Sequence, residues 1–264
     1  MPEISLQEIA EIADSFEAGT QDANAAGAIT WRSASLTDVG RVRHINEDAF
    51  LDSQEQRLWV VADGMGGHSR GDFASSAVVK QLRTFSPQGS VLANLQDLET
   101  RLQAANVQCR TAFRKHRPGT TVVVMLAHGN QCFFLWAGDS RLYRLRDGEL
   151  VQLTEDHSLA QQKHARGELT AEEKVTHHTS HVLTRAVGIR ESLTPDLGFA
   201  SVHDGDRYLL CSDGLYNPVG CDDIQTLLAQ GAAQDSCKAL VDLALERGGR
   251  DNITAIVVDA SAPA

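Results

Sequence analysis

A chain of 264 residues, 42% of them hydrophobic, can bury one sizeable core, and its 24 basic against 35 acidic residues give a net charge of −11. That charge argues against nonspecific binding to nucleic acid or to an anionic membrane, but it leaves room for a phosphorylated substrate where bound cations reverse the local field. Five cysteines without a C-x-x-C spacing suggest neither a disulfide framework nor a zinc site. No apolar run reaches the roughly 18 residues of a membrane span, and the acidic first residues carry no secretory pattern. A soluble cytoplasmic protein is expected.

In chain order, Ile4, Ile9, Ile12, Ala13 and Phe16 recur at helical spacing and predict a short amphipathic helix over 4–17. Residues 18–28 are small and polar and read as a linker, so 1–30 forms an N-terminal extension. Strands follow at 31–36, 49–53 and 57–62, then helices at 71–86 and 91–115. The second helix carries Leu92, Leu95, Leu98, Leu102, Ala105 and Cys109 on one face. Further strands are expected at 120–127, 131–137, 141–146 and 150–153, the last two joined as a hairpin through Asp147-Gly148. Residues 155–190 are polar and only weakly patterned. Strands return at 197–202, 207–212 and 253–259, with helices near 221–230 and 234–248 and a tail at 260–264. Strands clustered in runs predict an α+β fold of antiparallel sheets with helices packed outside them.

The stretch "VVADGMGGHSRGD" (60–72) ends an apolar run in an aspartate and adds glycines, without the Gly-Lys-Ser/Thr of a phosphate-cradling loop. It offers a carboxylate, a nearly bare backbone and His68, which suits a metal ion better than a bare phosphate. The pattern repeats. Asp63 ends "LWVVA", Asp139 ends "FFLWAG" and Asp213 ends "YLLCS"; Asp251-Asn252 stands before "ITAIVV", and Glu47 and Asp48 stand before "AFL". Gly64, Gly138 and Gly214 flank three of these acids and permit close backbone approach. Strands end in turns, and Asp147-Gly148 and Asp204-Gly205 read as ordinary turn pairs. The other acids abut the most apolar strands, where a carboxylate is costly unless paired or metal-bound. An all-oxygen donor set favours Mg2+ or Mn2+. No arginine lies six residues after any cysteine, which excludes a cysteine-based phosphate cradle.

The segments "TDVGRVRHINEDAF", "VVADGMGGHSRGDFAS", "GTTVVV", "WAGDSRLYRL", "LTRAVG", "LLCSDGLYN" and "GGRDNITAIVV" resemble, in order, the motifs of the metal-dependent PPM family, the type 2C serine/threonine protein phosphatases. The resemblance covers about 31–259. It implies an α-β-β-α sandwich of two antiparallel sheets flanked by helices, with a flap over about 155–190. It also implies hydrolysis of phosphoserine and phosphothreonine in proteins by a water activated between two Mn2+ or Mg2+ ions, with a third ion in bacterial members. Asp63 would bridge two ions, the Gly64 carbonyl would bind one, and Asp213 and Asp251 would complete the set. Glu47 and Asp48 would hold metal-bound waters, Asp139 with Asp213 would form the third position, Arg43 would grip the phosphate, and Asn252 would orient Asp251. Arg43, Asp63 and Asp213 are thus the expected catalytic residues. The expected partners are phosphorylated proteins, including a bacterial serine/threonine kinase, and the expected state is a monomer.

Met65 occupies the position where eukaryotic members often carry histidine, which leaves the proton donor to the leaving group open. A phosphatase dedicated to one regulatory phosphoprotein is the nearest alternative. A pseudophosphatase would lack key acids, and none is missing. His177, His178 and His181 fall in the flap stretch and read as solvated. The run Asp156-His157-Ser158 holds the residue types of a hydrolytic triad, but neighbours in sequence do not make that geometry.

Overall fold

The computed structural model describes residues 29–66, 70–113 and 118–262. The expected helix over 4–17, its linker and His68 lie outside the described residues. In order, the elements are β1 (Thr30–Asp38), β2 (Asp48–Ser53), β3 (Leu58–Met65), α1 (Gly71–Leu82), α2 (Val91–Ala112), β4 (Gly119–Thr120), β5 (Val122–His128), β6 (Gln131–Ala137), β7 (Arg141–Arg146), β8 (Glu149–Gln152), α3 (Leu159–Ala165), α4 (Ala171–Thr176), β9 (Asp196–Ser201), β10 (Arg207–Cys211), α5 (Asp213–Tyr216), α6 (Cys221–Leu228), α7 (Ala233–Glu246) and β11 (Ile253–Ser261).

The strands form two antiparallel sheets. One runs β1-β11-β10-β7-β8, the other β2-β3-β5-β6-β9, with β4 added beside β3. The sequence of β5 shows why the sheets stack. Val122, Val124 and Leu126 face α1 and α2, whereas Val123, Met125 and Ala127 face the other sheet. Side chains alternate across a strand, so a strand buried on both faces reads as one apolar run. Trp31, Trp59, Trp136, Tyr208, Leu210 and Ile256 fill the space between the sheets. On the far side Leu209, Val257 and Ile253 pack on α5, α6 and α7 through Leu215, Ile224, Leu240 and Val241. The result is an α-β-β-α sandwich with three apolar layers.

The predicted face of α2 is the buried one: Leu95, Leu98, Leu102, Ala105 and Cys109 all enter the core, and Leu92 is half-buried. Several boundaries differ from expectation. The helices stop at Leu82 and Ala112, and β3 runs on through Asp63 to Met65. Asp48 and Asp63 therefore lie within paired strands, each the other's register partner. β11 continues to Ser261 because Thr30 and Trp31 of β1 pair with Ser261 and Ala260, so those two residues belong to the sheet and not to a tail. The polar stretch contains two short helices, α3 and α4, capped by the side chains of Ser158 and Thr170.

Candidate metal and phosphate site

A cleft of about 360 Å³ opens at one end of the sandwich, and it brings together Arg43, Glu47, Asp63, Gly64, Asp139, Asp213 and Asp251. The acids arrive from β3, the β6–β7 turn, the start of α5 and the residue pair before β11. Asp48 and Asn252 are not among the residues that line it. Sequence reasoning gave no role to Thr121 and Ile189, which line it as well.

Hydroxyl groups hold the acids in place. Asp48 Oδ2 accepts from Ser212 Oγ at 2.8 Å and from Thr254 Oγ1 at 2.7 Å. The Asp63 amide donates to Thr121 Oγ1 at 3.0 Å, and its carbonyl accepts from Thr121 N at 2.9 Å and Thr120 Oγ1 at 2.9 Å. Thr121 Oγ1 is in turn 2.6 Å from Ser140 Oγ, which ties the Asp63 strand to the Asp139 turn. Tyr216 donates its hydroxyl to the Asp139 carbonyl at 3.0 Å.

Two glycines are required by close packing. A Cβ on Gly64 would meet the carbonyl oxygens of Gly71 and Glu47 at 2.3 and 2.4 Å. Gly138, at φ +120°, would place a Cβ 2.6 Å from Thr121. Both positions hold an acid-bearing segment against a neighbouring backbone or side chain.

Burial dominates the electrostatics. It pushes the Asp48 carboxyl up to about 7, against the opposing bonds from Thr254 and Ser212, with the charges of Asp213 and Asp251 adding to the rise. Burial, then the charge of Asp213, pushes Asp139 up to about 8. Asp63 stands well above the usual carboxylate range because it is buried and faces Asp48, Asp213 and Asp139. Asp213 is raised by burial and then by Asp251, with His181 and Arg43 partly offsetting this.

Arg43 reaches Asp251, with Nη2 2.7 Å from Oδ2, and not Glu47 four residues on. Its guanidinium is half exposed at the mouth of the cleft. Glu47 faces inward, where its Oε1 accepts from the Gly71 amide at 3.1 Å.

Asn252 meets the Asp251 carboxylate through its backbone. Its side chain does not touch Asp251; only its backbone amide does, donating to Asp251 Oδ1 at 2.9 Å. The side chain bonds the loop that carries Arg43: Nδ2 donates to Val39 O at 2.9 Å and Ile45 O at 3.0 Å, and Oδ1 accepts from Glu47 N at 2.8 Å. A carboxamide with a donor and an acceptor end suits both kinds of backbone group.

The histidines of the flap stretch do not converge. His181 Nδ1 lies 3.8 Å from Asp213 Oδ2, whereas the rings of His177 and His178 sit 4.2 Å from each other. The Asp156-His157-Ser158 run also divides. Asp156 binds Arg141, Ser158 caps α3, and His157 bonds the Gly138 amide and Asp196, so there is no hydrolytic triad.

Among the described residues no three His, Cys, Asp or Glu side chains are arranged as a chelate for a single ion. The carboxylates instead surround a shared space. Four buried or partly buried acids with raised proton affinity, offset by His181 and Arg43 at Asp213 and by Arg141 at Asp139, fit hard divalent cations with waters completing their shells.

Comparison with known proteins shows the family of the chain. The family described as Protein phosphatase 2C matches residues 41–246. The curated "Serine/threonine protein phosphatase PstP" of Mycobacterium tuberculosis is 38% identical over 233 residues, covering 86% of this chain and 45% of that protein. The chain thus spans about half the length of that curated relative. Among solved structures, "PppA, a key regulatory component of T6SS in Pseudomonas aeruginosa" is 42% identical with a TM-score of 0.83, covering 89% of this chain and 99% of that one. The catalytic domain of PstP "in complex with 2 Manganese ions" is 36% identical with a TM-score of 0.78, covering 88% and 99%. The chain belongs to the protein phosphatase 2C family of metal-dependent serine/threonine protein phosphatases.

Proposed function

We propose that this chain hydrolyses phosphoserine and phosphothreonine monoesters in proteins, with Mn2+ or Mg2+ held by Asp63, the Gly64 carbonyl, Asp213 and Asp251, and with Asp139 serving a third, weaker position. The observation that carries this reading is the convergence of these acids and Arg43 on one cleft. Bound divalent ions would supply the charge that polarises a phosphoryl group and lowers the pKa of an attacking water.

The chain's own residues supply the rest. Arg43 presents a planar fork of donors at the mouth of the cleft, the geometry that suits two phosphate oxygens. Asp48, bonded to Ser212 and Thr254, and Glu47, bonded to Gly71, add fixed negative charge and acceptors for ordered waters. Thr121 fixes the height of Asp63 in its strand. Leu183 and Ile189 give part of the wall an apolar surface, against which a substrate side chain can rest.

The proposed partners are phosphorylated proteins, a serine/threonine kinase among them, and the proposed state is a cytoplasmic monomer. Among the described residues no helix is long and apolar enough to cross a membrane. A narrower version, in which one regulatory phosphoprotein is the substrate, is the alternative.

The test is hydrolysis of p-nitrophenyl phosphate and of a phosphoprotein mixture by the full chain. Activity is expected with Mn2+ or Mg2+, is lost on chelation and is poorly restored by Zn2+. Full activity after metal stripping in EDTA would overturn the reading. Removal of a single phosphoprotein from the mixture supports the narrower version, and broad removal supports the general one.

A further inference from the structure

His157 takes no part in the chemistry above, yet its ring and its backbone each bond Gly138, the residue before Asp139. Its Nδ1 accepts from the Gly138 amide at 3.1 Å, while its own backbone amide donates to the Gly138 carbonyl at 2.9 Å. Its Nε2 lies 3.1 Å from Asp196 Oδ2. Because Nδ1 faces an N–H donor, the neutral ring carries its proton on Nε2 and donates it to Asp196. The ring lies almost parallel to the Trp136 indole, at 10° and 6.0 Å between centroids, and is nearly buried. Asp196 is the register partner of Trp136 across β6 and β9, and its other oxygen binds Arg185, a residue of the cleft wall. The His157 carbonyl accepts from the Thr184 amide at 2.8 Å, one residue before Arg185.

We propose that His157 is a positioning residue: through its two ring nitrogens it fixes the peptide that aims Asp139 into the cleft and ties that peptide, by way of Asp196, to the base of the flap. Gly138 makes such a clamp necessary. A glycine at φ +120° leaves the turn sterically free to take other conformations, and the Gly138 amide has no strand partner to hold it. The imidazole supplies the missing acceptor, and Asp196 fixes which nitrogen offers it. The inference rests on the proposed function for its consequence in turnover but not for the clamp itself.

The experiment uses the full chain and two kinds of measurement. Amide hydrogen exchange of residues 138–140 is followed in chelated protein, and kcat and KM are measured on a phosphoserine peptide with saturating Mn2+. His157→Phe keeps an aromatic ring against Trp136 and removes both nitrogens. It should speed exchange at Gly138 and Asp139 by about 3- to 10-fold, the worth of one ordinary hydrogen bond, and lower kcat by a similar factor with KM little changed. His157→Asn, whose amide oxygen sits near the place of Nδ1, should recover most of the slow exchange and the turnover. Asp196→Ala should shift both readings in the direction of His157→Phe, and it carries the same test if His157→Phe does not fold. Unchanged exchange in both variants, or equal effects of Phe and Asn, overturns the clamp. Altered exchange in a chain that proves inactive with every metal would leave the clamp standing and remove the phosphatase reading instead.

Discussion

Asp48 and Asp63 stand directly opposite each other across the β2–β3 ladder. Like charges in that relation repel, and here both are partly buried and poorly solvated, so the pair resists ionisation until positive charge is brought to it. The folded chelated protein keeps protons on Asp48 to about pH 7 and on Asp139 to about pH 8, whereas an unfolded chain releases them near pH 4. The folded state then binds more protons than the unfolded one, so stability falls as pH rises through this window. The melting temperature of chelated protein should drop between about pH 5 and about pH 8, and saturating Mn2+ should remove most of the slope. Calorimetry in matched buffers checks this; a chelated protein whose melting temperature rises toward pH 8 contradicts it.

Arg43→Ala should chiefly weaken substrate binding, because a phosphate contact made in both ground and transition states is largely uniform binding. A charge-assisted bidentate contact is worth about 1.5–3 kcal/mol, or about 10- to 150-fold in kcat/KM. Steady-state kinetics at subsaturating phosphopeptide gives the answer, and wild-type behaviour there removes Arg43 from the phosphate.

Asp63→Asn and Asp139→Asn should fail in different ways. The first removes a charge assigned to two ions, so metal affinity collapses and activity drops to background. The second would lose only the proposed third ion, whose bound water would protonate the leaving oxygen, so it should keep two ions and the fold but lose rate, more on a phosphoserine peptide than on p-nitrophenyl phosphate, whose leaving group needs little protonation. General-acid help is worth about 10²–10⁴-fold, so the gap between substrates should be wide. Metal titration by calorimetry with kinetics on both substrates decides; equal losses on the two substrates deny Asp139 any part in leaving-group departure.

Asn252→Ala strips partners from Glu47 N, Val39 O and Ile45 O in one step. Since Ile45 is exposed and its carbonyl can turn to water, a loss of about 1–3 kcal/mol in urea unfolding is expected. KM should also rise, because the loosened loop carries Arg43. An unchanged KM beside the stability loss would make Asn252 purely structural.

Gly64→Ala should be far worse than its size suggests. The new methyl would press on two backbone carbonyls, which cannot step aside as a flexible side chain can. Soluble yield and the melting temperature of the variant report the outcome, and a wild-type melting temperature would show that the Glu47 and Gly71 backbones can part at no cost.

The sandwich was legible in the sequence because its central strands are apolar on both faces and its helices on one. "VVVMLA" in β5 and the leucine row of α2 leave little choice. The flap was less so. α4 buries none of its residues and α3 buries only Ala160, so neither shows an apolar period. Their capping residues were visible, and Thr170 with Glu173 forms a capping box whose spacing stands in the sequence. The acids of the site could be found singly as charges beside apolar strands. Their partners could not. Arg43 and Asp251 are separated by 208 positions, and His157 and Asp196 by 39 with no shared period. Asn252 was placed beside Asp251, which its amide bonds, but the reach of its side chain to Val39, Ile45 and Glu47 was not legible, because contact along the chain says nothing about where a side chain points.

The pairing of β1 with β11 also sets an order of events during synthesis. Strand β1 is an edge strand whose single neighbour is β11, and Thr30 bonds Ser261 across 231 positions. A ribosome therefore delivers the first strand of this sheet long before its mate exists. Asp251 and Asn252 arrive with that mate, so the loop bearing Arg43 gains its anchor only as the last strand is threaded between β1 and β10. Nascent chains too short to include Ile253–Ser261 can collapse around β5 and α2, but they hold no finished cleft. Such long-range closure is slow, which predicts that the acidic centre is completed only when β11 docks between β1 and β10.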